Sequence, residues 1–432
     1  MLGVAGCLYC ISYFHRIAPS VMATDLMTAF AITAAALGTL TAIYPYVFAV
    51  MGVPAGTLAD TLGPRRTLAL GATTMAVGAT VFALAPRFAV AYGGRLLVGL
   101  GASVILIGGL RLAAAWFSGD EFALASGIVM TLGNLGGLAA ALPLAVSVER
   151  IGWRASLLVI AATTLLLGAL AAVALRDAPG VRSTRAPRAR DGEARDRAPG
   201  GGPPSLRAAL GAVPAIAANW PTWPPVLATA GVNATFVTLA GLWGVPYLID
   251  VHGFTRVDAS TSLSFGALGL VLGAPLMGRL SDRWLGRRRL PFAASGLVYA
   301  ALWAALVAVS RPGGPRWALT AIFFGLGVAS CGAFVLLWSC VREVNHPGRV
   351  GVALGFANTP IFAIFALVQW LSGAMLDARW AGAMAAGRRV YPAAAYRDTF
   401  AVFLALAVVS FALACLVRET YCRNVWAEPA RG

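Results

Sequence analysis

Apolar runs long enough to cross a bilayer recur along the whole length of this chain. Their spacing predicts spans at roughly 2–24, 34–55, 67–85, 89–116, 122–148 and 154–175. A second set follows at roughly 222–248, 259–279, 290–310, 316–340, 350–378 and 397–418. The expected fold is all-α and membrane-embedded, with twelve transmembrane helices in two pseudo-symmetric six-helix bundles, 1–175 and 222–418. Residues 176–221 form an Arg/Pro/Gly-rich linker, whose stretch 176–207 cannot bury a core and reads as disordered. Residues 205–220 add a mildly amphipathic run suited to the membrane interface. A tail, 419–432, closes the chain.

Short polar patterns repeat between the halves. Gly56-Thr57-Leu58-Ala59-Asp60-Thr61-Leu62-Gly63-Pro64-Arg65-Arg66 lies between the second and third spans. Gly278-Arg279-Leu280-Ser281-Asp282-Arg283-Trp284-Leu285-Gly286-Arg287-Arg288 lies between the eighth and ninth. In each, the first Gly is expected to let two helices approach closely, and the Asp to meet a neighbouring helix N-terminus, where a carboxylate is favoured. The Arg cluster marks a turn outside hydrocarbon. A second repeat runs from Ala125-Ser126-Gly127 to Asn134 in the fifth span and from Ala353-Leu354-Gly355 to Asn358 in the eleventh.

Composition narrows the class. The 432 residues are 59% hydrophobic and only 12% charged, too apolar for a soluble enzyme or a disordered chain. The net charge of +16 comes entirely from arginine, since the chain has no lysine. Twenty of the 33 basic residues fall on one side of the predicted spans, together with both termini. This is the positive-inside bias, so it places both termini in the cytoplasm. Basicity therefore reports topology and contact with anionic lipid heads, not a nucleic-acid partner. The six cysteines sit in or beside apolar helices, and Cys7-x-x-Cys10 reads as apolar filler. No cleavable signal is apparent, and the chain opens almost inside its first helix, which leaves room for a longer native N-terminus.

The duplicated loop resembles the signature of the major facilitator superfamily, and the resemblance covers nearly the whole chain. Arg95-Leu96-Leu97-Val98-Gly99-Leu100-Gly101-Ala102, at the outer end of the fourth span, resembles a second pattern of that family through Arg95, Gly99 and Gly101. The resemblance implies two halves that rock about a midplane site. It also implies a conformational latch at Gly56, Asp60, Gly63, Arg65 and Arg66, and at Gly278, Asp282, Arg283, Gly286 and Arg287. Thr61 and the pair Glu121-Phe122 depart from the family pattern, so a weaker charge relay is expected in the first half. Tyr13-Phe14-His15-Arg16-Ile17-Ala18-Pro19-Ser20-Val21 resembles the first helix of the anion:cation symporter branch, with His15 where an acid often stands. Arg111, ahead of Trp116-Phe117, matches a basic position of the same branch.

Charges inside spans are functional suspects, because burying them is costly. Arg16 lies about 13 Å from the outer end of its helix at helical rise, near the midplane. Tyr9, Tyr13 and Ser20 share its face. Arg111 lies roughly 7 Å above the inner boundary, within reach of lipid heads or of the cavity. No Asp or Glu falls in the middle of any predicted span, so the cavity is expected to hold positive charge with a substrate anion as its counter-ion. His15 is the titratable group deep in the first half and the candidate for proton coupling. Tyr44, Asn233, Trp243, Asn358 and Gln369 are candidates to complete the site, with Asn358 and Gln369 preferred over any single aromatic.

There is no phosphate-binding loop, metal cluster or nucleophile–base spacing, so neither enzyme activity nor a cofactor or metal is expected. The reading is a monomeric secondary transporter of the inner membrane. It would carry a small organic anion, such as a carboxylate or sugar acid, by alternating access, with proton-coupled uptake. Exchange of organic anions and efflux of drugs or metabolites stay open as alternatives.

Overall fold

A computed structural model describes residues 2–116, 129, 132–133, 135–176, 206–311, 313–385 and 387–426. Expectations resting on Phe117, Glu121-Phe122, Ala125-Ser126-Gly127, Asn134, the stretch 177–205 and residues 427–432 lie outside these, as do those on the side chains of Gly56, Asp60 and Thr61.

The first half contains α1 (Leu2–Phe30), α2 (Ala34–Leu62), α3 (Pro64–Leu84), α4 (Phe88–Trp116) and α5 (Leu142–Ala174). A connecting helix, α6 (Leu206–Ala218), precedes the second half. There the seventh span runs as α7 (Trp223–Thr238), a π-helical segment (Leu239–Trp243) and α8 (Gly244–His252). It is followed by α9 (Arg256–Arg279), a π-helical turn (Leu280–Leu285), α10 (Arg289–Val309) and α11 (Arg316–Val344). The last spans are α12 (Val350–Ala378) and α13 (Ala393–Cys415), joined by a hairpin of β1 (Met384–Ala385) and β2 (Arg388–Arg389).

Ten stretches among the described residues are long and apolar enough to cross a membrane. One, Leu135–Ala174, has 40 residues and so holds two crossings, part of the fifth span and all of the sixth. The break expected between them at 149–153 is present, because Gly152 leaves the helical conformation (φ 78°, ψ 162°) and kinks the stretch there; a turn also interrupts the fifth span at 140–141. With α1, whose polar residues lower its hydropathy, the architecture is twelve-helical. Helix ends run past the apolar windows because caps, not hydropathy, stop them. Thr33 accepts from Ala36 N at the start of α2, and Thr255 accepts from Asp258 N at the start of α9.

Within the first half, α3 and α4 touch backbone to backbone. A Cβ added at Gly101 would lie 2.4 Å from the Gly71 carbonyl oxygen, so only glycine fits there. The halves meet along α1 against the seventh span and along α2 against α12. The amphipathic run forms α6, whose Ala212 and Ile216 are buried with Val226, Val341 and Ala357 of the second half. One end of the bundle carries the duplicated loops and α6, and is called the linker end below. The opposite end is the far end.

Candidate functional site at the interface of the halves

Arg16 is the middle residue of the 29-residue α1. Its Nη2 donates to Asn233 Oδ1 of α7 at 3.3 Å, a bond between the halves. Its guanidinium carbon lies 5.3 Å from the Tyr13 ring centroid, one turn back on α1, and 5.6 and 5.2 Å from the Phe362 and Phe365 rings of α12. Aromatic faces attract a guanidinium, yet they neutralise no charge. Arg16 Nε and Asn233 Nδ2 are both buried and have no hydrogen-bond partner. Among the described residues no carboxylate pairs with Arg16. The result is a half-buried cation with two adjacent unspent donors, enclosed by side chains of both halves.

Around this centre, Tyr44 stacks on Phe48 at 4.6 Å, and Phe48 packs 5.3 Å from Phe362 across the interface. Tyr44 Oη meets Ser12 of α1, donating to its carbonyl at 3.2 Å. His15 is buried with Nε2 unpartnered. Gln369 is also buried, with Oε1 unpartnered. Trp243 is fully buried and spends its indole N–H on Ser372 Oγ at 2.8 Å, a helix-to-helix bond. Asn358 is half-buried on α12, and Arg111 is exposed near the linker end of α4. The structure thus gathers Tyr13, Arg16 and Asn233 at one point, with Tyr44 reaching it through Phe48 and Phe362. Phe362 and Phe365 lie on one face of α12, but nothing in the sequence ties them to Arg16.

Arg95, eight residues into the far-end part of α4, is buried (2% exposed) inside the bundle. Its Nη1 donates to the His15 carbonyl at 2.8 Å, and its guanidinium lies 5.7 Å from the Tyr44 ring centroid. Gly99 and Gly101 sit four and six residues further on, facing Val47 and Gly71.

At the linker end the second loop forms a charge relay. Arg288 bonds Asp282, donates to Ser281 Oγ at 2.8 Å and pairs with Glu343 of α11 at 2.9 Å. Burial opposes the Arg288 charge, but the hydrogen bonds and attraction of Glu343 and Asp282 outweigh it and hold the guanidinium above its usual range. The expectation for Asp282 is therefore corrected: it faces a guanidinium of its own loop. The carboxylate at the neighbouring helix N-terminus is Glu419 of the tail, which accepts from Arg288 N (2.8 Å) and Arg289 N (3.1 Å). Thr420 donates to Glu343 as well. Gly278 is also corrected, because a Cβ there would meet nothing within 4 Å, so it serves no close helix approach. Gly286 turns the loop at φ 58°, where a side chain is strained. Arg283 and Arg287 are exposed, the latter 6.0 Å from the Tyr421 ring. In the first loop Arg65 Nε donates to the Ala172 carbonyl at 2.6 Å, Arg66 is exposed, and Gly63 (φ 77°) separates α2 from α3.

The far end is sealed between the halves. Arg256 of α9 pairs with Asp25 of α1 at 2.7 Å. Asp377 of α12 accepts from Ala34 N (3.2 Å) and Ala35 N (2.7 Å), the first turn of α2. A cleft of about 360 Å³ lies beside the Arg256–Asp25 pair. The sequence keeps its acids out of the middle of the spans but carries no signal for these partners.

Two helical bundles that meet face to face across the membrane-spanning segments are the architecture of a membrane transporter. The chain belongs to the Major Facilitator Superfamily, whose model matches residues 5–368. It is 24% identical over 392 residues to the membrane sensor protein UhpC of Salmonella typhimurium, covering 87% of this chain and 84% of that one. It is 27% identical over 183 residues to the probable sulfoacetate transporter SauU of Cupriavidus necator, a match spanning 42% of this chain and only 43% of that relative. Among solved structures, it superposes with a TM-score of 0.73 on a bacterial homologue of the human lysosomal transporter Spinster in an inward-facing, unoccupied conformation. That match covers 96% of both chains at 18% identity and speaks to the fold.

Proposed function

We propose that this transporter carries a small organic anion whose acidic group binds Arg16 and Asn233. The observation that carries the reading is a pair of unspent buried donors, Nε of an Arg16 guanidinium that touches no described carboxylate and Nδ2 of the Asn233 amide bonded to it. A carboxylate, sulfonate or phosphate would accept from both, and it would be held by one residue from each half. Binding would then favour closure of the halves around it. The sulfoacetate in the name of the Cupriavidus necator relative is such an anion, which supports the reading.

Arginine placement puts the linker end in the cytoplasm of a cell whose inner membrane holds the protein as a monomer, in contact with anionic lipid. The sealed far end is then the outer side. An inward-negative potential opposes anion entry, so uptake with protons is the direction proposed. A sensing role is the second reading, favoured by the long match to a membrane sensor.

The test is uptake and binding of sulfoacetate, glucuronate and glucose 6-phosphate by purified protein in proteoliposomes, with melting temperature as the folding control. At least one should be taken up. Arg16→Ala should abolish both uptake and binding while staying folded, and Arg16→Lys, which keeps charge but loses the fork, should weaken binding ~10-fold or more. Binding without flux would favour sensing. Unimpaired binding by folded Arg16→Ala would overturn the anion site.

A further inference from the structure

Pro19 lies inside α1. A proline has no N–H, so the carbonyl four residues earlier loses its helical donor, and the ring crowds that same oxygen. The carbonyl is that of His15. In the structure it is not left orphaned, because Arg95 Nη1 donates to it from α4 at 2.8 Å. Arg95 makes little else of its charge. It is almost fully buried, its Nε has no partner, and no described carboxylate pairs with it. Burying a guanidinium for one carbonyl is costly unless that bond matters. The neighbouring contact has the same character. Tyr44, under the Arg95 guanidinium, donates to the Ser12 carbonyl, three residues earlier on α1.

We propose that Arg95 is a positioning residue for the anion site, supplying the hydrogen bond that Pro19 removes from α1. The His15 carbonyl and the Arg16 N–H belong to one planar peptide unit. Fixing that oxygen therefore fixes the plane from which the Arg16 side chain leaves the backbone. Gly101 places α4 tightly against α3 and so sets the helix that carries Arg95. The inference rests on the reading of Arg16 as the anion seat, but its structural step, the replacement of a missing helical donor, stands apart from that reading.

Pro19→Ala restores the N–H and makes Arg95 redundant, which gives a double-mutant test. Two quantities are read on the full-length protein in detergent: hydrogen–deuterium exchange of the α1 segment 12–24, and stabilisation by sulfoacetate or whichever probe anion binds best. Arg95→Met should speed exchange ~10-fold or more and weaken anion binding by a similar factor. Adding Pro19→Ala should return both to within about threefold of wild type, and Arg95→Lys, which keeps a donor, should fall between. If Arg95→Met does not fold alone, recovery of folded protein in the double mutant supports the proposal, and no recovery overturns it. Unchanged exchange in Arg95→Met, or a double mutant as defective as the single, also overturns it. Failure of the anion seat reads differently: Arg16→Ala would keep its binding while the exchange results stood.

Discussion

Asp377→Asn should open the far end. The Asp377 carboxylate accepts four donors: Ala34 N (3.2 Å), Ala35 N (2.7 Å), Tyr391 Oη (2.7 Å) and Arg389 Nη1 (3.3 Å). Burial and the adjacent carboxylate hold the Tyr391 phenol above its usual range, so it stays a donor. Tyr391 and Arg389 belong to the same half as Asp377, so their bonds persist when the halves separate and cancel from the comparison. What Asp377 itself adds to the sealed state is its carboxylate on the α2 N-terminus; the Arg256–Asp25 pair and the bond from Ala34 N to Tyr391 Oη (3.0 Å) remain in the mutant. An asparagine keeps the shape and one acceptor but loses the charge. A charge at a partly buried helix N-terminus contributes about 1–2 kcal/mol, and charge-assisted bonds exceed neutral ones by a comparable, overlapping amount. A net loss of about 2 kcal/mol shifts the ratio of sealed to open states ~30-fold. The assay is distance measurement between spin labels on cysteines replacing Arg87 and Arg311, both exposed at the far end. The mutant should show a new long-distance population. A sealed-to-open ratio within about threefold of wild type, in folded protein, would refute the assignment of Asp377 as the latch.

Two further outcomes are expected. Glu343→Gln leaves Arg288, whose side chain is 5% exposed, without its buried counter-charge; breaking such a pair costs about 3–5 kcal/mol and should lower the melting temperature by several degrees, whereas an unchanged melting curve would mean the relay is idle. A cysteine replacing Gly192 should resist impermeant reagents in intact cells and react in inverted vesicles; strong labelling from outside would reverse the proposed orientation.

The span count and the duplication were legible because both are local properties. A run of some twenty apolar residues fits a bilayer whatever surrounds it. That Arg16 stands out as a candidate was legible for the same reason: a charge in the middle of an apolar run has no cheap place to go. Asn233 was recognisable as polar in a span, but that its oxygen would meet Arg16 was not, since 217 residues separate them. Trp243 and Asn233 looked alike as polar-edged residues of one span. Packing gave Trp243 to Ser372 and left Asn233 a free donor.

The loops divide similarly. Repetition of Gly, Asp and Arg located both turns, while the partners came from elsewhere: Glu343 from the end of α11, and Glu419 from the tail. The carboxylate-on-helix contact expected at Asp282 occurs at Glu419 and, at the opposite end of the bundle, at Asp377. The chain by itself determined twelve spans, two related halves and one cation in the middle of the first helix. The tertiary structure alone decided which donors stay unspent beside that cation, and which carboxylates close which end. Hydropathy acts residue by residue along the chain, whereas a hydrogen bond between helices depends on angles and distances set only when all of them have packed.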